Sequence, residues 1–152
     1  MPEQDPMTLY HQFQQIYVLL DDADRRTLRA FDLTPTQYNL LLRLGADLAT
    51  GQTISELAEK LLCTRGNVTR LVQRLAQQGL VATGGDGNDQ RLVRVALTPL
   101  GRQQRQAAQA AHEASVQRRL GGLTHQRQET LAELTTLLVE ALSADLAHFS
   151  QA

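Results

Sequence analysis

Apolar residues return every three to four positions along most of this chain and every second position in one short stretch, dividing it into helices and a hairpin. Leu9, Phe13, Ile16, Tyr17 and Leu20 share one face, so residues 7–31 predict a long amphipathic helix. Thr34-Pro35-Thr36-Gln37 predicts the start of a second, with Thr34 as N-cap, Pro35 at the first helical position and Gln37 closing a capping box. That helix carries Tyr38, Leu41, Leu42 and Leu44 and should stop near the Gly45–Gly51 stretch. Thr53-Ile54-Ser55-Glu56 is another capping box, opening a short third helix through Leu57, Ala58, Leu61 and Leu62. Thr64 caps a fourth, whose buried stripe is Val68, Leu71, Val72 and Leu75, and Gly79 suits the left-handed residue that ends it.

From Leu80 the period falls to two. Leu80–Thr83 and Leu92–Leu97 predict two strands, joined by the turn-forming run 84–91 into a hairpin with a long tip. Thr98-Pro99 opens a fifth helix, Ala- and Gln-rich, to about Leu120, and Gly121-Gly122 breaks it. Thr124 opens a sixth, with Leu131, Leu134, Leu137, Leu138, Ala141, Leu142 and Phe149 on one side. The expected fold is mainly α with a small β-hairpin wing: a winged helix-turn-helix lobe at 34–97 inside a single domain spanning 1–152. The long helices at 7–31 and 99–149 carry apolar stripes with no partner in so small a core. They either close a monomeric bundle or cover one another across a homodimer, and the dimer is the expectation.

Composition narrows the setting. No apolar run approaches the ~20 residues a membrane span needs, and the first five residues are acidic where a signal peptide is basic. The single cysteine, Cys63, forms no internal disulfide, which points to a reducing cytoplasm. The net charge of -1 conceals an asymmetry: residues 1–51 sum to -3, 52–105 to +4 and 106–152 to -2. A basic middle between acidic arms is what a phosphate-facing module would show.

The fourth helix sharpens this. Its buried stripe leaves Arg65, Gly66, Asn67, Thr69, Arg70, Gln73 and Arg74 outside, and residues 64–85 contain no acid. A major groove about 12 Å wide admits one such helix, N-terminus first. Arg65 is a candidate for guanine and Asn67 for adenine or a phosphate, Thr69 stands with them, and Gly66 lets backbone approach closely. Arg70 and Arg74, one turn apart, suit flanking phosphates. At the hairpin tip Arg91 suits the minor groove, Asp89 is placed to hold it, and Arg94 is a further phosphate candidate. A polar face opposite an apolar stripe is also what a plain solvated helix presents. A winged-helix protein–protein module is the other functional class, although such modules have a neutral or acidic recognition face and no arginine at the tip.

The order of these pieces resembles the MarR-type (multiple antibiotic resistance) regulators over about residues 7–149. Asp89-Gln90-Arg91 is similar to that family's D-x-R wing, and Leu97-Thr98-Pro99-Leu100-Gly101 to its L-T-x-x-G entry into the fifth helix. Leu33-Thr34, Ser55-Glu56-Leu57-Ala58 and Val68-Thr69-Arg70-Leu71-Val72 match in order and spacing. The resemblance implies an obligate dimer on a pseudo-palindromic operator, usually as a repressor, released by a signal. It also implies a small aromatic or phenolic effector between the reading lobe and the dimer helices. Tyr10, His11, Phe13, Tyr17, Tyr38, Leu42 and Arg43 are the candidates here, each also a candidate for ordinary core or dimer contact.

Other chemistry recedes. Gly84–Asp89 begins like a calcium-binding nonapeptide repeat, but a single copy with Arg91 where an apolar residue belongs is a turn. The four histidines lack zinc spacing, so neither metal nor cofactor is expected, and no P-loop, nucleophile elbow or dinucleotide fingerprint suggests an enzyme. Cys63, just before the fourth helix, is either a small buried apolar residue or a thiol made reactive by the helix N-terminus.

Overall fold

The computed structural model describes residues 5–45, 47, 50–85 and 93–149. The chain divides into two compact units, Met1–Glu113 and Ala114–Ala152.

The first unit holds helices α1 (Pro6–Leu28), α2 (Pro35–Leu42), α3 (Ile54–Lys60) and α4 (Arg65–Gln77), strands β1 (Gln52–Thr53), β2 (Val81–Gly85) and β3 (Val93–Leu97), and most of α5 (Pro99–Leu120). The long first helix predicted from the sequence ends at Leu28 and tightens into a single 3-10 turn, Arg29–Phe31. Asp32, at φ 52°, then reverses the chain in the left-handed region that Asp tolerates.

Three helix starts follow the capping logic residue by residue. Thr34 Oγ1 accepts the Gln37 N–H (3.2 Å) while the Gln37 side chain accepts the Thr34 N–H (2.9 Å). Thr53 and Glu56 repeat the exchange at 3.2 and 2.7 Å, with a further hydroxyl bond at 2.9 Å. Those bonds hold the Glu56 carboxyl below its ordinary range, helped by Arg94 and Lys60 nearby. Thr64 Oγ1 accepts the Asn67 N–H to begin α4.

The ends of α3 and α4 are built alike from unlike residues. After α4, Gly79 (φ 72°) donates to the Ala76 carbonyl and Leu80 to that of Leu75, both at 2.9 Å. After α3, Leu62 donates to Glu59 and Cys63 to Ala58, and here the left-handed residue is a leucine at φ 50°, its side chain 83% exposed. A bulky residue there pays a steric cost that its exposed side chain recovers little of. Leu62→Gly is expected to stabilise the fold by about 0.5–1 kcal/mol, read as a higher urea midpoint at unchanged slope. A lower midpoint would show that the side chain is needed.

The sheet is antiparallel in the order β1-β3-β2. Two details differ from the sequence expectation. Gly84 and Gly85 continue β2 opposite Arg94 and Val93 instead of starting the turn, because cross-strand pairing reaches them whatever their side chains. β1, a two-residue strand on the free edge of β3 (Gln52 opposite Val95, Thr53 opposite Arg94), carries no periodicity long enough to reveal it. Leu28, Leu40, Leu41, Leu57, Val68, Leu75 and Val95 form the fully buried centre, with Ala108 of α5 closing it.

In the second unit α6 (His125–Phe149) follows the Gly121-Gly122 break, with Thr124 Oγ1 accepting the Arg127 N–H. On α6, Leu131, Leu134, Leu142 and Leu146 are each 46–60% exposed, and on α1 Leu9, Tyr10, Ile16 and Tyr17 are 44–67% exposed. Each helix alone therefore presents an uncovered apolar face.

Candidate nucleic-acid interface

α3, its turn and α4 form a helix-turn-helix, and the core fixes which side of α4 faces out. Val68, Val72 and Leu75 are buried, which leaves Arg65, Asn67, Thr69, Arg70, Gln73 and Arg74 exposed as the spacing predicts. No side chain packs where a Cβ on Gly66 would point, so nothing in the chain's own packing requires a glycine there. Thr69 is exposed and turns its hydroxyl back onto the Arg65 carbonyl at 2.9 Å, so that hydroxyl's proton is engaged within the helix.

The exposed residues of α4 split into two rows. Asn67, Arg70 and Arg74 line a groove of about 840 Å3 whose other sides come from the end of α1 and the start of α2. Arg65, Thr69 and Gln73 stand outside it. The sequence reading grouped all six on one surface, because a helical wheel shows the angle of a side chain and not what packs beside it. Cys63 also lines the groove, half-buried.

Arg94 occupies a different setting from the α4 arginines. It is half-buried on β3, and its Nη1 donates to the Gly51 carbonyl at 2.8 Å, tying the chain that enters β1 to the hairpin. Lys60 likewise reaches across to the Gln52 side chain. Both basic residues brace the sheet that carries the hairpin. Asp89 and Arg91, the expected wing tip, lie outside the described residues.

The seven effector candidates lie on α1 and at α2 and its C-terminal end. Tyr10, His11 and Tyr17 are exposed on α1, Phe13 is half-buried, and Leu42 and Arg43 are exposed at the end of α2. Tyr38 is only 3% exposed, its ring 5.1 Å from that of His112, and His112 Nε2 lies 3.1 Å from Asp24 Oδ1. Burial pushes the Tyr38 hydroxyl up, and the Glu113 and Asp24 carboxylates add to it. Tyr38 is thus a core residue joining α1, α2 and α5, and none of the seven lines the groove. Among the described residues no group of three or more His, Cys, Asp or Glu could hold a metal ion, and no helix is long and apolar enough to cross a membrane.

The sequence profile of the MarR family matches residues 31–92, the stretch from the start of α2 to the hairpin. Over that stretch the chain is similar to the MarR family. The chain is 25% identical over 128 residues to the uncharacterized HTH-type transcriptional regulator YkoM of Bacillus subtilis, covering 84% of this chain and 82% of YkoM. It is 32% identical over 95 residues to the transcriptional activatory protein BadR of Rhodopseudomonas palustris, covering 62% of this chain and 54% of BadR. The crystal structure of the S. aureus MepR–DNA complex superposes with a TM-score of 0.75 at 25% identity, over 86% of this chain and 96% of that one. The family's helix order, its small sheet and its helix-turn-helix are all present.

Proposed function

We propose that this chain is a homodimeric repressor of the MarR type that reads a pseudo-palindromic operator with α4 and the hairpin, and leaves it when a small molecule or oxidant signals. The observation that carries the reading is the outer face of α4: three exposed arginines with Asn67 and Thr69, no acid among them, on a helix anchored by three buried apolar residues. The similarity to a regulator crystallised on DNA supports it. Arg65 and Thr69, with Gln73 on the same row, meet bases together with Asn67 from the groove row, while Gly66 lets the backbone come close. Arg70 and Arg74 meet flanking phosphates. Asp89 and Arg91 form the wing, and Arg94, which donates to the Gly51 carbonyl, stands beside it as a further phosphate contact. Repression follows from occupancy: a dimer covering promoter DNA excludes polymerase. No catalytic role is assigned to any residue, and the site of action is the cytoplasm.

A gel shift with the DNA upstream of the protein's own gene tests the reading, and no retarded band with that DNA would sink it. Two finer results are expected. Arg70→Ala should flatten the salt dependence of binding by about one phosphate contact, and a slope equal to wild type would place Arg70 in solvent. Arg91→Ala should weaken binding by roughly 1–3 kcal/mol without altering dimerisation, read by fluorescence anisotropy. If the oxidative branch operates, peroxide releases the wild type and spares Cys63→Ser.

A further inference from the structure

The turn between α3 and α4 carries an apolar side chain that the free chain does not bury. Leu62 is 83% exposed, more than any other large apolar residue among those described. Its backbone stands at φ 50°, where a Cβ crowds the following carbonyl. Asp32, the other non-glycine residue at positive φ, is of a type that tolerates that region, and the matching position after α4 is Gly79. Leu62 therefore combines backbone strain with an unburied side chain. A residue so placed is accounted for by what it touches when bound, not by what it packs against when free.

The surroundings of Leu62 select the partner. It precedes Thr64, the cap of α4, by two positions and Arg65 by three, so its Cα lies within about 11 Å of that of Arg65. Cys63, Asn67, Arg70 and Arg74 line the groove beside α1, whereas Leu62, Arg65, Thr69 and Gln73 stand outside it. Lys60 and Arg65 flank Leu62, and residues 60–65 contain no acid. A second copy of the chain would set those cations against their own images, and an apolar protein patch would desolvate them without a partner. A DNA major groove answers both needs. It offers phosphates to the cations and, on its base edges, the thymine 5-methyl group.

We propose that Leu62 is a specificity-determining residue that packs on a thymine 5-methyl group in the major groove. This rests on the DNA-binding reading above and adds a contact made by the turn before α4, not by α4 itself. The turn is pinned from both sides: Leu62 donates its N–H to the Glu59 carbonyl at 3.2 Å, Cys63 donates to that of Ala58 at 3.0 Å, and Thr64 caps α4. The side chain thus meets DNA from a fixed backbone and loses little more than its own rotamer freedom. Stability and recognition then oppose each other at this position. Glycine relieves the backbone and removes the contact, so the substitution that raises the urea midpoint lowers operator affinity.

The test is anisotropy of the full chain on the upstream DNA, amplified once with thymine and once with uracil, which lacks the 5-methyl group and pairs alike. Leu62→Gly is expected to bind thymine DNA about fifteenfold more weakly than wild type, roughly fourfold for a methyl-sized contact in each of two half-sites. On uracil DNA the two proteins should bind within about threefold of each other. Leu62→Asn, polar but suited to the left-handed region, should lose as much as the glycine variant on thymine DNA. If Leu62→Asn binds like wild type, a loosened turn explains the glycine result and the contact is overturned. A loss in Leu62→Gly that persists on uracil DNA overturns the thymine assignment in favour of the sugar–phosphate backbone. Equal binding of wild type and Leu62→Gly to thymine DNA overturns any part for Leu62 in recognition. If the wild type binds neither DNA, the operator reading falls and this contact falls with it; every other outcome begins from a wild type that binds.

Discussion

Gly101→Ala is expected to destabilise the protein by about 3 kcal/mol, the upper end of what forced overpacking costs. A Cβ at this position would stand 1.8 Å from the Leu80 carbonyl oxygen and 2.8 Å from its carbon, and both are backbone atoms that no side-chain rotation removes. The surroundings leave little room to yield. Thr98 donates its N–H to that same Leu80 carbonyl at 3.1 Å, donates its hydroxyl to the Gly79 carbonyl at 2.6 Å, and accepts the Gly101 N–H at 2.9 Å. The first turn of α5 is therefore pinned against the α4–β2 junction, and a methyl group must break that set of bonds to enter. Urea unfolding of the two proteins measures the difference, and a loss below about 0.5 kcal/mol would mean the contact is not as close as described. The glycine of Leu97-Thr98-Pro99-Leu100-Gly101 thus has a packing reason, supplied by a neighbour twenty-one residues away in sequence.

The second large effect is expected from Leu134→Glu. Leu134 is 60% exposed on α6, in a row with Leu131, Leu142 and Leu146, so in a single chain the substitution should cost almost nothing. If a second copy covers that row, as proposed, two-fold symmetry buries two new carboxylates at once, each without a partner. The chain, 16.8 kDa, should then run near its own mass in light scattering where the wild type runs at twice that. Operator affinity should fall about a hundredfold or more, because a lone lobe reads one half-site and loses the second as an intramolecular contact. A variant that stays paired, or a wild type that is already single, would remove α6 from the interface.

The two substitutions divide what is legible in the chain from what is not. Local rules stood out plainly: the capping residues Thr34, Thr53 and Thr64, the left-handed Gly79 and the buried stripe of α4 all act within a few residues of themselves. Their physics is contained in a window of sequence, and with the hairpin they yield the order of elements and the family resemblance.

Only the tertiary structure separates residues that a helical wheel makes equal. Arg70 and Arg74 face a groove while Arg65 does not, Arg94 donates to Gly51, and Tyr38 is core against His112 although Tyr10 and Tyr17, also on helices, are exposed. Outcomes of this kind depend on partners distant in sequence: Tyr38 with His112, Gly51 with Arg94, and likewise Leu80 with Gly101. Spacing along one helix sets the direction of a side chain, whereas the identity of its neighbour is set by where another element comes to rest. The sequence by itself thus determined a basic helix beside a hairpin, and folding decided which of its arginines face the groove beside α1.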